Sequence, residues 1–192
     1  MRYPGRPGLP PAVAVLVGRG EIRKDHLILD VGCGTGTDCL TLAKWGFRRV
    51  VGVDVDAGAI RVARARATRT GLNRRVRFFV GGPEDLPADL KAGHVDVVLH
   101  TLVANNLDAK SHPHYGAIAR AMRPSGLLVI SARTYWDEEN GRPGFVKPFG
   151  GMQRHFDLTP SVTTHLAEAP DYYPGYAPVA VWFGHPKARR AR

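Results

Sequence analysis

The chain has 192 residues, enough to bury roughly two-thirds of its unfolded surface around one core without staples. Its 44% hydrophobic and 23% charged residues are ordinary for a soluble globular protein, and no apolar run reaches bilayer length. The only two cysteines, Cys33 and Cys39, lie six positions apart in one stretch, so no disulfide framework is expected and a reducing cytoplasm is the expected setting. The formal net charge of +10 leaves two readings open: a polyanionic partner such as nucleic acid, or a solvated arginine-rich surface. The arginines form no recognisable nucleic-acid motif, which favours the second.

Residues 1–11 are dense in proline and glycine and read as an irregular arm. The run Ala12–Val17 predicts a short core-facing helix, too short to span a membrane and without a convincing cleavage site after it. Leu27–Val31 is a first apolar strand and Thr37–Lys44 a helix stopped at Gly46. Arg49–Asp54 is a second strand whose Val-Val-Gly-Val centre suits burial on both faces. Asp56 is placed to cap a helix running to about Thr70, where Gly71 ends it. On that helix Ile60, Ala63 and Ala67 recur at helical spacing and should face the sheet, with most of its arginines outside. Val76–Val80 and Val95–His100 are further strands; Tyr115–Met122 is a helix closed by Pro124, and Leu127–Ser131 a fifth strand. From Arg133 to Phe156 no period is sustained, which predicts a long loop or substrate lid. Leu158–Ala167 reads as a short helix and Val179–Phe183 as a last strand, with residues 186–192 a basic solvated tail. Strands alternating with helices predict a parallel sheet with right-handed crossovers in a single domain over residues 1–192.

The turn after the first strand carries the chemistry. Leu29-Asp30-Val31-Gly32-Cys33-Gly34-Thr35-Gly36 places three glycines at alternate positions, where missing side chains let the backbone approach a ligand. A dinucleotide turn needs its third glycine one residue later, over a pyrophosphate. This spacing suits an adenosine ligand without a pyrophosphate, and S-adenosylmethionine is one. Asp54, at the carboxyl end of the second strand beside the strand-order switch, is placed to accept hydrogen bonds from ribose hydroxyls. A capping role, the alternative for such a residue, fits Asp56 better.

Together with Val50-Val51-Gly52-Val53-Asp54-Val55-Asp56 and Arg123-Pro124-Ser125-Gly126-Leu127-Leu128-Val129-Ile130, this turn resembles the class I S-adenosylmethionine-dependent methyltransferase family over roughly residues 20–132. The resemblance implies an α/β fold, a Rossmann-like three-layer sandwich with a mostly parallel seven-stranded sheet and an antiparallel last strand. His155–Leu158 and Val179–Phe183 would then supply the closing hairpin. It also implies that Asp30 meets the cofactor's amino group directly or through water, although an Asp at a strand end could instead cap the loop. Gly32, Cys33, Gly34 and Gly36 would form the floor, with Asp54 and Val55 at the ribose, and S-adenosylhomocysteine would be the product. The third strand departs from the family's Gly-Asp-Ala pattern and reads Val80-Gly81-Gly82-Pro83-Glu84-Asp85. Gly82 has no side chain to offer adenine and Pro83 no N–H, so adenine recognition is expected to shift to Glu84 and the backbone of Asp85.

His100, at the end of the fourth strand, is the candidate general base, with a hydrogen-bonded place in the cofactor pocket as its alternative. His112, His114, His155 and His165 lack the spacing of a zinc site, and no metal is expected. The reading is a methyltransferase acting on a small-molecule acceptor without a membrane partner. An RNA- or protein-directed enzyme docked through a basic surface, a non-catalytic cofactor-binding module, and a user of another adenosyl or nicotinamide ligand are the competing readings.

Overall fold

A computed structural model of the chain describes residues 11–91, 93–101, 112–137, 142–145, 152, 154–161 and 179–187. Five parallel strands make most of its sheet: β1 (Leu27–Val31), β2 (Arg49–Asp54), β3 (Val76–Val80), β4 (Val95–Thr101) and β5 (Met122–Asp137). A short β6 (Arg142–Phe145) pairs antiparallel with the end of β5. The sheet closes with β7 (Phe156–Ser161) and β8 (Val179–Pro186), and the order across it is β3-β2-β1-β4-β5-β8-β7. Strand β8 runs antiparallel to both of its neighbours, so the main sheet has seven strands with one reversed. This is the expected Rossmann-like architecture.

Each strand sends alternate side chains to opposite faces, and the two faces hold separate cores. Ile28, Val50, Val97 and Leu99 pack beneath α1 (Pro11–Gly18), α2 (Thr37–Lys44) and α3 (Ala57–Arg69), where Ile60, Ala63 and Ala67 are buried as their spacing predicts. On the other face Leu29, Val51, Val53 and Val98 pack against α4 (Ala88–Lys91) and α5 (His112–Ala121). Asp56 caps α3, its Oδ1 accepting from the Gly58 and Ala59 amides at 2.7 and 3.1 Å. Among the described residues no helix is long and apolar enough to cross a membrane.

Three expectations change. The stretch from Arg133 is not loop throughout, because β5 continues to Asp137 and pairs with Arg142–Phe145 through Thr134↔Phe145 and Asp137↔Arg142. Pro143, which broke the pattern in sequence, sits on an edge strand where no ladder donor is required. The rest of the expected lid, residues 138–141, 146–151 and 153, lies outside the described residues, as do the arm at 1–10 and the tail at 188–192. The helix expected from Leu158 is instead strand through Ser161, since Gly184 on β8 leaves room for the Leu158 side chain. Residues 162–178 also lie outside the described residues. Finally, α5 starts earlier than expected, at His112, and ends at Ala121.

Candidate functional site

The carboxyl ends of β1, β2, β3 and β4 meet along one rim, and the glycine turn connects β1 to α2 there. Gly32, Gly34 and Gly36 have φ of 75°, 53° and 76°, in the left-handed region that glycine enters without a Cβ penalty. The Gly32 and Cys33 amides both donate to the Val53 carbonyl, at 2.8 and 3.0 Å, which ties the turn to the end of β2. The Gly34 amide then donates to Asp54 Oδ2 at 2.7 Å, and the Asp56 amide to Asp54 Oδ1 at 2.9 Å. Asp54 therefore bridges the turn and the start of α3 while each carboxylate oxygen keeps a lone pair for a further donor.

Below the turn lies a wedge that sequence reading missed. A Cβ on Gly36 would fall 2.6 Å from Phe78 Cζ, and one on Gly52 would fall 2.7 Å from Cys33 Sγ and 2.8 Å from Phe78 Cδ1. Phe78 of β3 thus fills the space that two glycines vacate and holds Cys33, 9% exposed, under the turn. A glycine inside the Val-Val-Gly-Val strand was the available clue, since strand glycines mark close approaches. Arg66 left no such clue. Its Nη1 reaches from α3 to the Thr35 carbonyl at 2.8 Å, and to the Thr35 and Thr37 hydroxyls at 3.1 Å each. Arg64 likewise donates to the Phe78 carbonyl, at 2.6 Å through Nη2. Two arginines expected on a purely solvated face are therefore structural fasteners.

Above the turn the surface is open, for a Cβ on Gly34 would meet nothing within 4 Å. Val55, beside Asp54, is 78% exposed, and Val80 at the end of β3 is also exposed. An open glycine floor, a carboxylate with spare lone pairs and an exposed apolar shelf fit the floor, ribose and base of an adenosine cofactor. Asp30 is set deeper. It is buried, and its carboxylate accepts from the Cys39 thiol at 3.3 Å. Burial first, and the Asp38 charge second, push Asp30 up to about 8, so its neutral form predominates at pH 7. Contact with a cofactor amino group would require it to give up that enclosure or act through water.

The segment after β3, which was expected to read adenine, spends its polar groups on other partners. Pro83–Asp85 forms a 3₁₀ turn in which the Asp85 amide donates to the Gly82 carbonyl at 3.1 Å and Asp85 Oδ2 accepts from the Gly82 amide at 3.0 Å. The Asp85 N–H expected to read adenine is spent within that turn. Glu84 faces α5, its Oε1 3.8 Å from His114 Nδ1. His114 in turn meets His100, Nε2 to Nε2, at 3.1 Å. His100 lies beneath α5, 1% exposed, and desolvation with the neighbouring His114 lowers it to about 3. Its Nδ1 and the Tyr115 hydroxyl are buried and, among the described residues, have no hydrogen-bond partner. His114 and Tyr115 were not picked out as site residues from sequence, because only the packing of α5 on the sheet brings them to His100. Among the described residues no three His, Cys, Asp or Glu side chains are grouped to hold a metal ion.

A family model described as a methyltransferase domain matches residues 22–148. The chain belongs to the class I S-adenosylmethionine-dependent methyltransferase family. The chain is 37% identical over 108 residues to the ribosomal protein L11 methyltransferase of Pasteurella multocida (strain Pm70), covering 56% of this chain and 34% of that protein. The same protein of Shewanella halifaxensis (strain HAW-EB4) is 38% identical over 104 residues, covering 54% and 32%. The chain thus spans about a third of the length of these curated relatives. Among solved structures it matches a TehB-like SAM-dependent methyltransferase from Corynebacterium glutamicum, with a TM-score of 0.64, 21% identity and 91% and 86% of the two chains covered. A structure described by the conversion of a disulfide bond into a thioacetal group during echinomycin biosynthesis matches with a TM-score of 0.69, 23% identity, and 96% and 84% covered. At such identities these two likenesses speak for the fold.

Proposed function

We propose that this methyltransferase transfers the methyl group of S-adenosylmethionine to a small polar molecule bound beside the end of β4. Bound cofactor supplies an electrophilic methyl group on a sulfonium. Gly34 would leave room for it, Asp54 would accept from its ribose hydroxyls and Val55 would lie against its base. Holding donor and acceptor atoms aligned in a sheltered site would supply much of the acceleration that such a transfer needs. The acceptor class rests on one observation: the unpartnered polar atoms at the end of β4, His100 Nδ1 and the Tyr115 hydroxyl, are sheltered beneath α5 rather than displayed on the surface. A small molecule reaches such atoms more readily than a folded macromolecule does.

Calorimetry tests the cofactor: S-adenosylmethionine and S-adenosylhomocysteine should give heat and NAD none, whereas no heat with either sulfur ligand overturns the reading. The acceptor is tested with methyl-labelled cofactor in a cell extract. Label should pass a small-molecule filter, and label held in nuclease- or protease-sensitive material would refute a small acceptor.

An RNA or protein acceptor is the second reading, suggested for protein by what the relatives are named for. A cleft of about 200 Å³ at the opposite rim favours a docked polyanion, being lined by Arg48, Arg49, Arg74, Arg75 and Arg77. Asp89 pairs with Arg77 at 2.9 Å, and among the described residues Arg48, Arg49 and Arg74 have no ion-pair partner. This cleft sits at the amino ends of the strands, so it would anchor a distant part of an acceptor. RNA affinity that failed to fall with rising salt would count against it.

A further inference from the structure

We propose that Glu84, His114 and His100 form a proton exit route from the methyl acceptor, and that Tyr115 shares the acceptor's polar group with His100. The proposal rests on the methyl-transfer reading and names the acceptor as an uncharged N–H or O–H compound.

The order of protons along the route follows from its ends. Glu84 is half-exposed, and its carboxylate lies 3.8 Å from His114 Nδ1. That separation is a charge contact, not a hydrogen bond, and it favours the His114 tautomer with its proton on Nδ1. Burial lowers His114, so the ring is neutral and its Nε2 carries a lone pair. The 3.1 Å contact then requires His100 Nε2–H to donate to His114 Nε2. One neutral imidazole proton is thereby assigned, and His100 Nδ1 is left as a bare lone pair. That atom is buried and without a partner. Burial also pushes the Tyr115 phenol up, so its O–H is retained as a donor. The rings pack edge to face, with centroids 5.3 Å apart for His100 and His114 and 5.4 Å for His114 and Tyr115.

A buried acceptor and a buried donor, on rings whose centroids lie 5.8 Å apart, match a group that both donates and accepts, such as a hydroxyl or an amide. Among the described residues no ion pair reaches His100 or Tyr115, so a charged acceptor would be costly to desolvate there. When a neutral X–H group is methylated, the X–C bond forms, a C–S bond breaks with its electron pair kept by sulfur, and one proton must leave. His100 Nδ1 takes that proton as its Nε2–H moves to His114, and the His114 Nδ1–H passes to Glu84 at the solvent edge through a water that spans the 3.8 Å separation. Neutral, desolvated imidazoles suit this passage because neither ring retains the charge. Among the described residues the titratable groups near the pair are Glu84 from the 3₁₀ turn, Tyr115 from α5, and Arg120 and His155, which both pack near Gly116.

Long-range proton–nitrogen NMR on ¹⁵N-labelled protein tests the route without a known acceptor. His100 should stay neutral from pH 5 to 8 with its proton on Nε2, and His114 should carry its proton on Nδ1. In Glu84→Gln, which is half-exposed and tolerant of the change, His114 should lose its single tautomer and His100 should follow it. A wild-type His100 protonated on Nδ1, turned toward its own backbone, overturns the route, and so does a His114 unaffected by Glu84→Gln. Titration with S-adenosylhomocysteine separates the two levels. Binding together with the wrong tautomers defeats the route alone, whereas no binding removes the methyl-transfer reading on which it rests.

Discussion

Replacing the glycines of the turn one at a time separates what the backbone needs from what a ligand needs. Alanine at Gly36 must hold φ near 76° and put its Cβ 2.6 Å from Phe78 Cζ. The left-handed conformation costs an alanine about 1–2 kcal/mol, and forcing the Phe78 ring aside adds about 1–3 kcal/mol of overpacking. The sum is roughly 2–5 kcal/mol, or a melting temperature lower by roughly 5–20 °C for a domain of this size. Alanine at Gly34 bears only the first cost, since its Cβ would meet nothing within 4 Å, so its melting temperature should fall by roughly 2–8 °C. Gly34→Ala should instead weaken S-adenosylhomocysteine binding, because the added methyl group stands on the open floor. Urea unfolding followed by circular dichroism supplies the stabilities, and calorimetry the affinity. The decisive arm is Gly36→Ala in a Phe78→Ala background, where the packing part of the cost should vanish and appear as a coupling energy. Equal destabilisation by Gly34→Ala and Gly36→Ala, or no coupling with Phe78, would refute the wedge.

Asp54→Asn should raise the Kd for S-adenosylhomocysteine about 5- to 150-fold, reflecting about 1–3 kcal/mol for a charged acceptor. Asp56→Ala, which removes only the α3 cap, should cost about 1 kcal/mol of stability and leave that Kd nearly unchanged. Equal effects of the two variants on affinity would show that Asp54 is not at the ribose. Asp30 makes a pH prediction. Its folded value of about 8 lies above the ordinary carboxyl value of 3.8, so its contribution to stability is full below about pH 4 and is lost as pH rises toward 8. Asp30→Asn has no proton to lose, and its melting temperature should draw ahead of the wild type across that window. A gap that is constant between pH 4 and 8 would contradict the buried, neutral carboxyl group.

Legibility in the sequence followed the range of the physics involved. The strands β1 to β4, the glycine turn, the Asp56 cap and the inner face of α3 rest on contacts within a few residues or on simple periodicity, and all were readable. The β5–β6 pairing and the strand at Phe156–Ser161 depend on partners elsewhere in the chain; the stretch from Arg133 read locally as loop and the run from Leu158 as helix. Pro143 and Pro160 are tolerated because β6 and β7 are edge strands, a fact of topology that local composition does not carry. Asp54 was legible as a site residue by its position at a strand end. His114 was not, because its neighbours Glu84 and His100 reach it only once α5 packs on the 3₁₀ turn and β4. Arg66 belonged to a dense arginine run and looked like its solvated neighbours, although only the tertiary fold decides which of them turns inward.

The Arg66 guanidinium has a dynamic consequence. One nitrogen spans the third turn of α3, Thr35 of the loop that follows β1 and Thr37 at the start of α2. Opening the glycine loop therefore breaks contacts of α3, and fraying of α3 loosens the loop. In hydrogen exchange the amides of Gly36 and of the carboxyl-terminal half of α3 should open together as one cooperative unit, and a ligand seated on the loop would slow exchange in a helix that it never touches.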